Sequence, residues 1–230
     1  MSVVAVVVAA GSGTRFGGQV PKPLADLDGR PVVALALESL AAGGCAEAIV
    51  LVSPGMQPAF AEALAGAPLP VTLAEGGATR QESVRRGLEA LAARPEPPEA
   101  VLIHDAVRPL VPAAMIGRVV AAVRAGAAAV TPALPVVDSL RRVAGDGNEP
   151  VDRAPLRRVQ TPQGFDFAAV LAAHRAAADG PEATDDVSVC EAAGHPVTLV
   201  EGAAEAVKIT YAADLELVRA LVRLNSEGAL

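Results

Sequence analysis

An α/β fold, a Rossmann-like open and mostly parallel sheet flanked by helices, is predicted by two features of this 230-residue sequence. Short runs of Val, Ile, Leu and Ala alternate with longer helical patterns, the rhythm of βα units wound around a parallel sheet. Hydrophobic residues make up 52% of the chain, ample for a buried core without cross-links. A third feature breaks the rhythm. Residues 136–159 hold five arginines, the turn-rich GDGNEP and no helical stripe, which predicts a protruding β-hairpin arm. The expected organisation is one domain over residues 1–230 with the arm inside it.

Strands are predicted at residues 3–9, 48–53, 71–74, 100–104, 128–133, 197–201 and 207–210. Helices are predicted to start near Pro31, Gln57, Thr79, Pro112, Asp166, Asp185 and Ala212, several behind a Pro, Asp or Thr suited to a helix entrance. Residues 94–99 (RPEPPE) read as a surface loop. The arm, too polar to bury in its own domain, is a solvated loop, an active-site lid or an embrace of a second subunit.

Composition removes several function classes. The net charge is −7, no Lys/Arg cluster forms a track for a polyanion, and aromatics reach only 2% with no Trp. A long nucleic acid is therefore not an expected partner, and any nucleotide bound is a small molecule. Cys45 and Cys190 are far apart without metal-ligand spacing, so they read as buried thiols of a reducing compartment. The apolar run at 3–10 is too short for a membrane span and lacks the basic segment of a signal peptide, so a cytoplasmic location is expected.

The first strand runs into Gly11, Gly13, Gly17 and Gly18, with Arg15 and Lys22 close by, in AAGSGTRFGGQVPKPL. Glycines let main chain approach phosphates, and the two cations suit a triphosphate. The loop is neither a Walker A motif, lacking GK followed by Ser or Thr, nor a dinucleotide fingerprint, since Phe16 stands where the third glycine belongs. A plain strand-to-helix turn is the bland alternative. Further along, GGATRQESVRRGL (76–88), HDAVRPL (104–110), TPQGF (161–165), TDDVSVCEAAG (184–194) and VEGAAEAVKIT (200–210) follow in order.

With the AAGxGxR…PK opening, these blocks resemble the 2-C-methyl-D-erythritol 4-phosphate cytidylyltransferases of the sugar- and alditol-phosphate nucleotidyltransferase superfamily, which act in non-mevalonate isoprenoid synthesis. The resemblance implies CMP transfer from CTP to the alditol phosphate, with pyrophosphate released and Mg2+ as cofactor. It implies that Ala9, Ala10, Gly11 and Gly13 hold the nucleotide and that Arg15, Lys22 and Lys208 neutralise phosphates. Gly77, Ala78 and Ser83 correspond to the cytosine pocket. Relatives often carry an acid where Ala78 stands, so base recognition there is assigned to main chain. Asp105 and Ala106 are implied at the ribose, Arg108, Thr184 and Lys208 at the acceptor, and Ser139 and Arg153 on the arm reach across a homodimer.

Chemistry agrees with the phosphate assignments. Negative charge grows on the α-phosphate and the departing pyrophosphate, fixed cations stabilise it, and an ionised phosphate monoester needs no general base. Asp105, at a strand's carboxyl end, is the metal candidate, because Mg2+ needs few protein carboxylates beside a triphosphate. Structural alternatives stand beside these roles. Lys22 and Lys208 can be solvated lysines, Ser83 a helix-start serine, Asp105 a cap paired with Arg108, Thr184 or Asp185 an N-cap, and the arm arginines surface charges. His104 is expected to pack or bond locally. Ribitol-5-phosphate cytidylyltransferase is the nearest rival function. A non-catalytic nucleotide-binding module would not require all of Arg15, Lys22, Asp105 and Lys208, and a nicotinamide oxidoreductase would need the missing fingerprint. With a last helix closing the sequence, no fused cyclodiphosphate synthase is expected. Glycine richness makes residues 12–20 a candidate mobile loop.

Overall fold

A computed structural model of the chain describes residues 2–11 and 20–226. Its main sheet is built on β1 (Val3–Val8), whose residues are buried on both faces, which is why it reads as an unbroken apolar run. Val3, Ala5 and Val7 pack into one core layer, and Val4 and Val6 into the other. Two tiny strands, β2 (Asp26–Leu27) and β3 (Arg30–Pro31), lead into α1 (Val32–Ala42). The chain continues through β4 (Glu47–Val52), α2 (Gln57–Ala63), β5 (Val71–Glu75), α3 (Arg80–Ala92) and β6 (Ala100–Asp105). β1, β4, β5 and β6 are all parallel.

After α4 (Ala113–Arg124), β7 (Ala129–Pro135) joins the sheet, and the chain leaves it as a hairpin, β8 (Leu140–Ala144) with β9 (Gly147–Val151), forming a separate two-stranded sheet. It returns as β10 (Arg157–Val159), antiparallel to β7, and β11 (Gln163–Asp166), antiparallel to β6 and β7. α5 (Phe167–Ala176) and α6 (Asp186–Ala192) follow, then β12 (Val197–Glu201), parallel to β7, and α7 (Ala212–Ser226). Helices α1, α2 and α4 cover one face and α3, α5 and α6 the other.

The open α/β sheet therefore matches the expectation, residues 140–151 pair as a hairpin, and two details correct the predicted elements. Residues 207–210 form no strand. That segment is tied instead by single bonds, Ile209 N–H to the Val107 carbonyl (2.9 Å) and Arg108 to the Ala206 carbonyl (2.8 Å). β11 was not expected, because QGFD is short and its glycine weakens the strand pattern. Gly164 is required there, since a Cβ would lie 2.4 Å from Val119 of α4. Cys45 and Cys190 are both buried and free, and burial pushes each thiol up to about 12. Among the described residues no helix is long and apolar enough to cross a membrane.

Candidate active site

From β1 the chain crosses over to β4 on one side, while β6 lies on the other, so a crevice opens at the carboxyl ends where the winding changes direction. Val8 faces Asp105 across the β1–β6 register, and each strand ends at this crevice. A cavity of about 460 Å3 lies here, a volume suited to a nucleotide. Ala9, Ala10, Gly11, Lys22, Gly77, Ala78, Ser83, Asp105 and Lys208, all expected from sequence, line it together. Arg15 and Gly13, with the mobile-loop expectation for 12–20, fall in a stretch of which 12–19 lie outside the described residues.

The wall formed by residues 76–83 is organised by its own side chains. Thr79 caps α3, accepting from Glu82 N–H at 3.1 Å, and the Glu82 carboxylate reaches back to Ala78 N–H at 2.7 Å. Ser83 is buried; its hydroxyl donates to the Thr79 carbonyl (2.8 Å) and accepts from Gly77 N–H (2.9 Å). Ser83 thus holds the loop in shape, and its hydroxyl is already engaged on both sides. Gly76 must be glycine, because a Cβ would sit 2.6 Å from the Ala10 Cβ and 2.8 Å from the Ser83 Oγ. That contact seats the loop against the end of β1.

Asp105 is the electrostatic centre. Its Oδ1 accepts from Arg80 Nε at 3.3 Å and its Oδ2 from Lys208 Nζ at 2.8 Å, with Arg108 Nε 4.0 Å from Oδ2. Burial alone would raise this carboxyl, but Arg80 and Lys208 hold it well below the usual carboxylate range. Burial pushes the Arg108 guanidinium down against the pull of Asp105. Behind Asp105 runs an ordered relay. Asp105 N–H donates to Thr161 Oγ1 (3.1 Å), Thr161 faces His104 Nδ1 (3.0 Å), and His104 Nε2 lies 3.1 Å from the Arg108 carbonyl. Since a carbonyl only accepts, Nε2 carries the proton and Nδ1 accepts from the threonine hydroxyl. Burial holds this imidazole neutral, its pKa pushed down to about 4. His104 bonds locally, as expected.

A second cavity, about 280 Å3, is lined by Arg108, Arg158, Gln160 and Lys208 among others. Gln160 fixes the segment leading to Lys208 by accepting from Ala203 N–H (3.0 Å) and donating to the Ala203 carbonyl (2.7 Å). Lys208 lines both cavities. Its placement thus comes from side-chain clamps where a strand was expected.

The remaining expected residues lie apart. Ala106 is fully buried, its side chain packs into the core and its N–H donates to the Val8 carbonyl (3.1 Å). Thr184 is exposed and lines neither cavity. Asp185 caps α6, accepting from Ser188 N–H at 3.0 Å. Ser139 and Arg153 sit on or beside the hairpin and line neither cavity, and Arg153 donates to the Val137 carbonyl. Asp105, the metal candidate, has its oxygens engaged by Arg80 and Lys208, and the described residues hold no group of three or more His, Cys, Asp or Glu able to bind a metal, so a magnesium ion here would draw most of its ligands from the nucleotide. Sequence reasoning missed Arg80, which had only its place at the opening of α3 to mark it, and Arg158.

The chain matches the family model described as IspD, 2-C-methyl-D-erythritol 4-phosphate cytidylyltransferase, over residues 3–224. It is 46% identical over 229 residues to the 2-C-methyl-D-erythritol 4-phosphate cytidylyltransferase of Cereibacter sphaeroides (strain KD131), covering 97% of this chain and 98% of that one. It is 47% identical over 216 residues to the bifunctional enzyme IspD/IspF of Novosphingobium aromaticivorans, covering 94% of this chain and 55% of the relative. The chain thus spans about half the length of such bifunctional relatives. The crystal structure of 2-C-methyl-D-erythritol 4-phosphate cytidylyltransferase from Thermus thermophilus matches with a TM-score of 0.81 and 38% identity, over 97% of this chain and 100% of that one.

Proposed function

Because this chain belongs to the 2-C-methyl-D-erythritol 4-phosphate cytidylyltransferase family, we propose that it transfers CMP from CTP to 2-C-methyl-D-erythritol 4-phosphate. The products are pyrophosphate and 4-diphosphocytidyl-2-C-methyl-D-erythritol. The single observation that carries the reading is Lys208, which lines both the larger cavity and the smaller, arginine-lined one. An ammonium at that junction reaches both the α-phosphate of a nucleotide in the first and a phosphate monoester in the second.

In this reading an oxygen of the acceptor phosphate attacks the α-phosphorus, the bond to the bridging oxygen of the β-phosphate breaks, and its electron pair leaves with pyrophosphate. Negative charge grows on the equatorial oxygens, where Lys208 and Lys22 stabilise it. The acceptor is already ionised near neutral pH, so no side chain need take a proton. Asp105 holds Lys208 in place, and Arg108 with Arg158 supplies positive charge at the acceptor cavity. Ser83 and Glu82 engage the Gly77 and Ala78 N–H groups, while Arg86 and Ser83 engage the Gly76 and Thr79 carbonyls, so the Gly77 and Ala78 carbonyls are assigned to accept from the cytosine amino group.

Asp105 is the carboxylate that would face a magnesium ion bound with CTP, and the ion would supply charge neutralisation on the triphosphate. Arg15 and Gly13 are assigned to the triphosphate, Thr184 to the acceptor, and Ser139 and Arg153 to the acceptor of a second subunit in a homodimer, all by the family resemblance. A reducing cytoplasm suits the buried free thiols. The test is pyrophosphate release with magnesium, pairing CTP, UTP, GTP and ATP with methylerythritol phosphate and ribitol 5-phosphate. Rapid release with CTP and methylerythritol phosphate alone is expected; preference for ribitol 5-phosphate would reassign the acceptor, and silence throughout would leave a binding module.

A further inference from the structure

Behind Asp105 stands a second carboxylate that the chemistry above does not use. Asp186, the first residue of α6, is 1% exposed. Its Oδ2 lies 2.7 Å from Arg80 Nη2 and its Oδ1 3.3 Å from His174 Nε2. His174, on α5, is itself fully buried, and neither of its ring nitrogens nor Asp186 Oδ2 completes a well-directed hydrogen bond among the described residues, so these contacts are ion pairs by distance. Burying a carboxylate and an imidazole beside a partly exposed guanidinium costs desolvation that aliphatic side chains of similar volume would avoid. Stability alone therefore does not account for the set.

Its geometry suggests a different use. Arg80 serves two carboxylates with different edges, Nη2 toward Asp186 and Nε toward Asp105 Oδ1, while Asp105 Oδ2 is left to Lys208. A guanidinium facing a single carboxylate prefers the bidentate fork, two parallel N–H donors on two oxygens. Without Asp186, Arg80 would turn that fork on Asp105, occupy Oδ2 and displace the ammonium. Lys208 has a side chain 42% exposed, so little packing would keep it at the junction of the cavities.

We propose that Asp186, backed by His174, is a positioning residue for CMP transfer: it divides Arg80 between two carboxylates and so keeps Lys208 anchored on Asp105. The inference rests on the function proposed above and adds Asp186 and His174, which line neither of the two cavities described, acting through Arg80, which lines the larger one. His174 lies 3.3 Å from Oδ1 without a directed hydrogen bond, so its removal has the smaller effect.

Asp186→Asn keeps the shape and removes the charge. Its kcat should fall about tenfold to a hundredfold, while CTP affinity measured without acceptor stays within about threefold. Adding Arg80→Gln should raise kcat above that of Asp186→Asn alone, because Lys208 regains Oδ2; lost packing cannot produce such a rescue. A wild-type kcat in Asp186→Asn, or a double variant slower than the single one, would overturn the inference. Should Asp186→Asn not fold, Asp186→Ser serves: about tenfold loss of kcat is expected, recovered in part by adding Arg80→Gln, and a wild-type kcat would overturn the inference. If the wild-type protein shows no transfer, the functional reading has failed. The crystal structure of substrate-free Asp186→Asn then decides separately, with Arg80 forked on Asp105 supporting the inference and an undisturbed Asp105–Lys208 pair refuting it.

Discussion

The crevice at Asp105 and the hairpin at residues 140–151 are both polar and rich in arginine, yet they are built in opposite ways. At the crevice the charges are interlocked around a carboxylate with only 10% of its side chain exposed, at the end of a strand buried along its length. On the hairpin, Arg142 pairs with Glu149 with side chains 68% and 60% exposed, an arrangement that contributes at most about 1 kcal/mol. The hairpin forms its own two-stranded sheet and leaves Val143 exposed, whereas β6 is paired on both sides. An isolated two-stranded hairpin is marginal in water. The crevice is thus organised by buried, interlocked charges, while the hairpin is held by exposed pairs and its own short ladder.

If that contrast is right, the largest effect belongs to the crevice. Lys22→Ala removes a cation lining the larger cavity and should lower kcat by roughly a hundredfold to a thousandfold, with the melting temperature nearly unchanged, because the side chain is only partly buried. Stopped-flow pyrophosphate release and thermal unfolding measure the two together, and a wild-type rate would sink the mechanism. Gly76→Ala attacks the same region through shape: its Cβ must push against Ala10 and Ser83, so CTP affinity should fall more than about tenfold, with about 1–3 kcal/mol of stability lost. Unchanged CTP binding by calorimetry would show that the loop does not need this seating.

The arm should respond differently. Arg153→Ala is expected to raise the KM for the acceptor about tenfold and leave that for CTP unaltered. Because Arg153 lines neither cavity of its own chain, mixing Lys22→Ala with Arg153→Ala protein should restore activity. In a mixed dimer the intact Lys22 site receives an intact arm from its neighbour. No recovery on mixing, once exchange of subunits is verified, would confine the arm to its own chain and remove the contrast.

The two regions also differ in how far sequence revealed them. Lys22, Gly77 and Asp105 were legible because glycines and lone charges at the ends of apolar strands have few structural uses. Lys208 was placed correctly for a wrong local reason: VKIT alternates like a strand, but Gln160 and Arg108 clamp its approach from elsewhere in the chain. The Arg80–Asp186–His174 set was not legible, since its members sit on three helices brought together only by the packing of α3, α5 and α6. A buried acid at a helix start looks like a cap, and Asp185, which is the cap, stands next to it. The hairpin was legible from its arginines, its turn-rich GDGNEP and its missing helical stripe, and β8 and β9 pair across that turn.

The smallest expected effect probes the inner side of the crevice. His104 is buried neutral with its pKa depressed from 6.5 to about 4, so below pH 6.5 the unfolded chain takes up a proton that the folded one refuses. Stability should therefore fall as pH drops from 6.5 to 4, lowering the melting temperature by several degrees. Asp105 and Asp186, both held below the ordinary carboxylate value of 3.8, extend the loss at still lower pH as the unfolded chain protonates first. His104→Gln should flatten the upper part of this profile and leave the lower part in place. The hairpin, by contrast, holds no histidine, so deleting residues 140–151 should leave the acid profile unchanged in shape. A profile that flattens on deletion instead would mean that the arm, and not the buried relay behind Asp105, carries the acid sensitivity.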